Sequence, residues 1–156
     1  LAFSPIKSNY FNFMIQKATE LGVTKFIPVI FERSIVRKIN NDRLRKIIIE
    51  ATEQSNRICT PKIENPVSLQ NFLSTYEDKI KLIFTDLNSN KKKISLIKSE
   101  KKPLCILIGP EGDFSESERL KILNFKDVET IKLNDNILRS ETAAISALSV
   151  INFIIN

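Results

Sequence analysis

A Gly-Pro-Glu-Gly sequence after an apolar run is the first candidate for chemistry. It contains Gly109 and Gly112, two of only three glycines among the 156 residues, and it follows the apolar run 104–108. Glycine serves where the backbone takes a positive φ or approaches another group closely. Ser115 and Glu118 have the spacing of a helix capping box. The segment therefore predicts a strand, a loop and a helix, an arrangement that holds ligands at the carboxyl edge of a parallel sheet.

The spacing of this glycine loop does not match the known phosphate-binding loops. It differs from the dinucleotide fingerprint and from the P-loop, and Pro110 lacks the N–H that a phosphate cradle would use. A tight turn with a purely structural role stays open as an alternative.

A second candidate loop lies between a short strand pattern and the last helix pattern of the chain. It places Arg139, Ser140, Glu141 and Thr142 at the predicted helix entry. Ser140 as a helix cap and Glu141 as a favourable charge at the positive helix end are structural alternatives.

The composition removes several classes of chemistry. The chain has no histidine, which excludes Ser-His-Asp catalysis and histidine-bound metal and leaves Asp, Glu, Lys, Tyr or water for proton transfer. Cys59 and Cys105 show neither metal nor disulfide spacing, and we interpret them as reduced thiols of a cytoplasmic protein. No apolar run approaches the roughly 18 residues of a membrane span. We therefore predict neither a metal nor a membrane partner.

Positive charge is concentrated at the start of the chain. The net charge of the chain is +6. Residues 1–60 contain ten Lys and Arg residues and five acids, ten minus five, so this segment alone has a net charge of +5. Arginine binds phosphate through two parallel hydrogen bonds, so a polyanion such as RNA is a plausible partner. A solvated surface of a lysine-rich protein explains the same charge.

Helical and strand patterns alternate along the chain, which predicts an α/β fold with a parallel sheet. The predicted helices cover 10–22, 40–58, 67–76, 115–125 and 140–155, and the predicted strands cover 25–31, 79–87, 103–109 and 127–133. Gly22 is expected to end the first helix, and Ile58 to close the apolar stripe of the second. Pro28 suggests a bend or an edge strand. The lysine run 91–93 is expected in a solvated loop.

Four short motifs together resemble one family. They are KATELGV at 17–23, EQSNR at 53–57, LIGPEGDFSESE at 107–118 and ILRSETAA at 137–144. In this order they resemble the RsmE family, bacterial methyltransferases of the SPOUT class that act on N3 of a uridine in small-subunit (16S) ribosomal RNA. The resemblance implies that residues 1–156 form one SPOUT methyltransferase domain with a parallel sheet, flanking helices and a C-terminal trefoil knot. It also implies a homodimer, and an N-terminal β-barrel RNA-binding domain that is absent from this chain.

The resemblance implies that the two candidate loops together bind S-adenosylmethionine. The implied cofactor-binding residues are Ile108, Gly109, Pro110, Glu111, Gly112, Leu133, Leu138, Ser140, Thr142 and Ala143. The two glycines would let the main chain approach the adenosine, and the aliphatic residues would form apolar walls. Asp113 and Asn134 stand where the family commonly has glycine, and Ser140 where threonine is common. Asp and Asn tolerate left-handed backbone better than other residues.

Arg139 and Glu141 are the catalytic candidates by their place in the matching motif. Methyl transfer from a sulfonium is an in-line displacement, in which positioning supplies much of the acceleration. The uridine N3 must lose its proton, so a cation that stabilises the anion, or a general base, would help. Arg139 in an interface salt bridge and Glu141 in a structural role at the helix entry stay open.

The resemblance favours a place for one end of the second helix in contact with the target RNA or at the rim of the active site. The implied RNA-binding residues are Glu53, Gln54, Ser55 and Arg57, and the positive charge of residues 1–60 adds Arg33 and Arg37 as candidates. A ladder of surface ion pairs along 43–57 is the structural alternative. Two rival functions remain: a SPOUT methyltransferase for another base or a ribose, and a non-catalytic RNA-binding module.

Overall fold

The described residues of the computed structural model, 1–89 and 102–155, form five helices and a seven-stranded sheet. The strands are β1 (Ala2–Phe3), β2 (Lys25–Ile30), β3 (Lys62–Ile63), β4 (Val67–Ser68), β5 (Lys81–Thr85), β6 (Leu104–Ile108) and β7 (Val128–Ile131). The helices are α1 (Ser8–Glu20), α2 (Asn41–Gln54), α3 (Leu69–Tyr76), α4 (Glu116–Leu123) and α5 (Ser140–Ile155). The lysine run 91–93 lies outside the described residues.

Every strand pairing in the described sheet is parallel. The strand order is β3-β2-β1-β6-β5-β7, and β4 also pairs with β2. The prediction of a parallel α/β sheet is confirmed. Because all strands run the same way, their carboxyl ends meet at one edge, where both candidate loops begin.

Helices cover both faces of the sheet. Side chains of α1, α2 and α5 form one core with one set of strand residues, and side chains of α3 and α4 form a second core with the other set. Phe3 and Phe26 belong to the first core, and Leu82 and Phe84 to the second, and all four are fully buried. Strands buried on both sides explain the continuous apolar runs in the sequence.

Pro28 lies inside the sheet, so the expectation of an edge strand is wrong. It pairs in register with Phe3 of β1. On the other side, β2 pairs first with β3 at Lys25 and Phe26, and then with β4 at Val29 and Ile30. The proline sits where β2 changes partner from β3 to β4.

Helices α1 and α2 end in the same way. Gly22 has φ +92° and Asn56 has φ +53°. Each is followed by a residue whose N–H reaches back five positions, from Val23 to the Ala18 carbonyl and from Arg57 to the Thr52 carbonyl. These are Schellman motifs, in which a left-handed residue closes the helix.

The early end of α2 corrects two predictions. Ile58 lies past the helix and is fully exposed, so it does not belong to the apolar stripe. Arg57 is likewise outside the helix and cannot extend an ion-pair ladder along it. The only ion pair between side chains of α2 joins Arg45 and Asp42.

Candidate functional site

A cleft opens at the carboxyl edge of the sheet, beside the start of α5. It is open to solvent on one side. The lining residues end or follow the strands β5, β6 and β7 or belong to the first turn of α5: Thr85, Asp86, Leu87, Ile108, Gly109, Pro110, Asp113, Phe114, Ile131, Leu133, Asn134, Asn136, Leu138, Ser140 and Ala143. The structure therefore brings the two candidate loops to one cavity.

Most of the residues implied as cofactor-binding line this cleft. They are Ile108, Gly109, Pro110, Leu133, Leu138, Ser140 and Ala143. The Ser140 hydroxyl donates a 3.2 Å hydrogen bond to the Gly109 carbonyl, which joins the two loops directly.

Three of the implied residues lie elsewhere. Gly112 accepts a 3.0 Å hydrogen bond at its carbonyl from the Arg33 guanidinium and does not line the cleft. Glu111 lines a neighbouring groove, and Thr142 is exposed on the first turn of α5.

The reason for glycine at position 109 is an aromatic neighbour. A Cβ atom there would lie 2.5 Å from Cε2 and 2.6 Å from Cζ of the Phe114 ring. This ring packs edge-on against Phe31 at 5.2 Å and Phe84 at 5.0 Å between centroids. Gly109 therefore makes room for a fixed aromatic side chain that forms part of the cleft wall, and its φ is not in the positive region.

The glycine loop is also anchored to the loop that follows β2. The predicted capping box is present: the Ser115 hydroxyl accepts from the Glu118 N–H, and the Glu118 carboxylate accepts from the Ser115 N–H. The same carboxylate, 3% exposed, accepts a 2.7 Å bond from the Glu32 N–H. Hydrogen bonds from Ser115 and Ser117 hold the pKa of the Glu32 carboxyl below its usual value.

Asp113 and Asn134 behave differently from each other. Asp113 has φ +62°, and its carboxylate accepts a 2.8 Å bond from the Phe114 N–H. This is the left-handed backbone that a glycine adopts without strain. Asn134 has no positive φ. Its side chain accepts a 2.9 Å bond from the Asn136 N–H, which shapes the second loop.

Asp86 is a site residue that the sequence analysis missed. It follows β5 directly, lines the cleft and is 5% exposed. The Arg119 guanidinium donates two bonds to one carboxylate oxygen, at 2.8 and 3.1 Å, and the Asn88 N–H donates to the other. The hydrogen bond to Asp86 is the main cause that raises the pKa of Arg119. A polar residue directly after a buried parallel strand was the signal that could have revealed it.

A second groove continues from the cleft. The two share Leu87, Pro110, Asp113, Leu138 and Ser140. The groove also contains Lys7, Tyr10, Glu111, Ile137, Arg139 and Glu141. Both catalytic candidates therefore lie beside the cleft. Lys7 and Tyr10 were missed, because nothing in the sequence links the start of α1 to the loop before α5.

The two catalytic candidates have unusual surroundings. Glu141 is 8% exposed, and among the described residues its carboxylate has no hydrogen bond or ion pair. Arg139 is exposed, and its guanidinium lies 5.4 Å from the Tyr10 ring centroid. The described residues offer this guanidinium no hydrogen-bond acceptor.

The implied RNA-binding residues do not form one cluster. The Arg57 guanidinium donates to the Thr19 and Val23 carbonyls, at 2.6 and 2.7 Å, and so completes the end of α1. The Ser55 hydroxyl donates to the Ala51 carbonyl within its own helix. Glu53 and Gln54 are exposed.

Arg33 and Arg37 lie on the exposed loop after β2, far along the chain from the EQSNR motif. Arg37 donates to the Glu32 carbonyl at 3.0 Å, and Arg33 to the Gly112 carbonyl. Both guanidinium groups therefore help to hold loops at the carboxyl edge of the sheet.

The described residues contain neither a candidate metal site nor a helix that could cross a membrane. Among residues 1–89 and 102–155, no group of three His, Cys, Asp or Glu side chains is placed to hold a metal ion. Within the same part of the chain, every helix is too short or too polar to cross a membrane.

Comparison with known proteins points to one family. The sequence model of the RNA methyltransferase domain matches residues 1–152. A protein of Rickettsia conorii named ribosomal RNA small subunit methyltransferase E is 36% identical over 99% of this chain and 64% of its own length. The Bacillus subtilis protein of the same name is 36% identical over 94% of this chain and 62% of its own length.

A solved structure shows the same fold. The small subunit methyltransferase E of Neisseria gonorrhoeae, bound to S-adenosyl methionine, superposes with a TM-score of 0.88 and 29% identity. The match covers 97% of this chain and 64% of that one. The chain thus spans less than two thirds of the length of these relatives.

Proposed function

The chain belongs to the RNA methyltransferase domain family, among the RsmE proteins, and from this premise we propose that it transfers a methyl group from S-adenosylmethionine to N3 of a uridine in small-subunit (16S) ribosomal RNA. The observation that carries the proposal is the meeting of both candidate loops in one cleft, joined by the Ser140–Gly109 hydrogen bond. The relatives' names and the cofactor in the Neisseria gonorrhoeae structure support it.

The cleft residues fit the proposed cofactor. Ile108, Leu133 and Leu138 offer apolar walls for a flat adenine ring. The Asp113 carboxylate lies at the same cleft and favours a cationic ligand, whereas the charge of Asp86 is paired with Arg119. The bound cofactor would supply a methyl group on a positively charged sulfur.

Arg139 is proposed to stabilise the deprotonated uracil. Its guanidinium is a permanent cation with free N–H donors in the groove next to the cleft. A cation that faces the N3–C=O edge of uracil stabilises the base without its N3 proton. A larger fraction of the bound uracil is then in the anionic, nucleophilic form.

Glu141 is proposed as the acceptor of the N3 proton. It is a buried carboxylate in the same groove, without a partner among the described residues. The carboxylate is therefore available to accept a proton from a substrate bound in this groove.

RNA contact is proposed for the exposed side chains of two regions. Glu53 and Gln54 extend from the end of α2, with Ser55 and Arg57 beside them, and Arg33 and Arg37 stand on the loop after β2. The concentration of positive charge in residues 1–60 supports this assignment.

The remaining expectations of the resemblance are part of the same proposal. They are a C-terminal trefoil knot, cytoplasmic location and a homodimer. Three large apolar side chains on α5, Val150, Phe153 and Ile155, are 43%, 88% and 49% exposed, which supports an interface along this helix. Sedimentation of the wild type and of Phe153→Asp tests it: the variant should sediment as a monomer, and an unchanged dimer would contradict this interface.

Mass mapping of the methylated nucleotide tests the proposed reaction. The full chain is incubated with small ribosomal subunits and labelled S-adenosylmethionine, and the RNA is digested and sequenced by mass. The expected product is a single uridine methylated at N3. A methyl group on another base or on a ribose would support the first rival function, and no transfer would support a binding module.

Arg139→Ala provides the matched test of the catalytic assignment. It should abolish methylation while the dissociation constant for the cofactor stays within about twofold. Wild-type turnover in this variant would refute the role of Arg139.

A further inference from the structure

We propose that Tyr10 is a positioning residue for Arg139, and that its ring holds the guanidinium in the orientation in which it meets the substrate. The inference rests on the proposed function, because it assigns a task to Arg139 in that reaction. It concerns a residue of α1, about 130 positions away along the chain.

The arginines of the chain fall into two groups. Five of the seven use their guanidinium within the protein: Arg33, Arg37 and Arg57 bond to carbonyls, and Arg45 and Arg119 pair with carboxylates. Arg43 and Arg139 have no such partner among the described residues. Of these two, only Arg139 lines the groove beside the cleft.

The main chain of Arg139 is fixed by the start of α5. Its carbonyl accepts a 2.8 Å bond from the Ala143 N–H, the first bond of the helix. The side chain beyond it is long and exposed, and such a side chain samples many rotamers unless a contact restricts it. The backbone alone therefore does not orient the guanidinium.

The Tyr10 ring supplies the missing restriction. The Arg139 Cζ atom lies 5.4 Å from the ring centroid, within the range of a cation–π contact. A contact of this kind needs no N–H donor of the guanidinium and leaves those donors available. Tyr10 is 46% exposed on the first turn of α1, so the contact lies at the groove surface.

This arrangement suits a group that must bind an anion formed during the reaction. Hydrogen bonds to a carboxylate would occupy the N–H donors and neutralise the charge. An aromatic face restricts the side chain without doing either. We therefore expect the ring to act through Arg139, without contacting the reacting atoms itself.

The experiment compares Tyr10→Leu with Tyr10→Phe in the full chain. Tyr10→Leu removes the aromatic face, and methylation should fall about three- to tenfold with an unchanged cofactor dissociation constant. Tyr10→Phe keeps the face and should recover most of the loss. Phe13→Leu is the control, because Phe13 is a similarly exposed aromatic residue of α1 that lies outside the groove.

The pH profile separates positioning from a general structural effect. If the ring orients Arg139, Tyr10→Leu weakens the stabilisation of the uracil anion, and the rising limb of the rate profile moves to higher pH. A merely structural change would lower the maximum rate and leave the pH at which the rate rises unchanged. In an Arg139→Lys background, Tyr10→Leu should have a smaller effect than in the wild type.

The possible failures are distinguishable. Absence of both cofactor binding and methylation in the wild type would reject the proposed function itself. An impaired Arg139→Ala variant together with wild-type rate and pH limb in Tyr10→Leu would overturn only the role of Tyr10.

Discussion

The hydroxyl of Ser140 donates a 3.2 Å hydrogen bond to the carbonyl oxygen of Gly109. The two residues are 31 positions apart, yet this bond connects the loop after β6 to the first turn of α5. It joins two segments that both line the cleft.

Loss of this hydrogen bond should loosen the cleft. Ser140→Ala removes the donor and leaves the Gly109 carbonyl without it, at a cost of about 1 kcal/mol. Cofactor affinity should fall about fivefold by calorimetry. Ser140→Thr keeps the hydroxyl and should bind within about twofold of the wild type. Equal loss in both variants would mean that the hydrogen bond is not the cause.

Substitution of Gly109 should act through the Phe114 ring. Gly109→Ala puts a Cβ atom 2.5 Å from that ring and should lower the free energy of unfolding by about 1–3 kcal/mol, as overpacking does. Urea denaturation measures it. In a Phe114→Leu background, Gly109→Ala should lower the free energy of unfolding by less than it does in the wild type.

Gly112→Ala is the control for this experiment. Its Cβ atom would lie 3.4 Å from the Arg33 Cβ atom, an ordinary contact, and Gly112 has no positive φ. Its stability should change by less than about 0.5 kcal/mol. A large loss here, or none in Gly109→Ala, would contradict the packing argument.

Arg57 should matter for folding before it matters for RNA. Arg57→Ala leaves the Thr19 and Val23 carbonyls without their charged donor. We expect a loss of about 2 kcal/mol in the free energy of unfolding. The control is Arg43→Ala, whose guanidinium has no partner among the described residues. Full stability with weakened RNA binding in Arg57→Ala would favour a direct RNA contact instead.

The two cysteines should differ in reactivity and in their effect on alkaline stability. Burial raises the pKa of the Cys105 thiol, whereas Cys59 is exposed. Iodoacetamide should therefore label one thiol per folded chain, and both after denaturation.

The sign of the pH effect follows from the raised pKa. The folded state holds the Cys105 proton more tightly than the unfolded chain, whose thiol pKa is about 8.5. This contribution is complete below that pH and is lost as the pH rises above it. The stability difference between the wild type and Cys105→Ala should therefore shrink between about pH 8 and pH 10. A difference independent of pH would contradict the shift.

Local signals predicted most of the fold. The five helices and the four longer strands follow from hydrophobic period, caps and turn residues, which are properties of neighbouring positions. The strands β1, β3 and β4 have two residues each, and so short a strand shows no alternation. Ile58 was assigned to α2 because periodicity alone does not reveal the left-handed Asn56 that ends the helix.

The parts of the site that lie within the two motifs are predictable from the sequence. The parts that depend on contacts between residues distant along the chain are not. Both loops were found from their residues and their place after strands. The reason for Gly109 depends on the Phe114 ring, and the surroundings of Arg139 depend on Tyr10, whose helical pattern gives no hint of the contact.

An NMR titration with S-adenosylmethionine tests most directly whether the two loops form one cofactor site. The backbone amides in 108–114 and 133–143 should shift and saturate together with a single dissociation constant. Amides of β3 and of the far end of α2 should stay unchanged. Shifts confined to one loop, or saturable shifts elsewhere with both loops silent, would contradict the shared cleft.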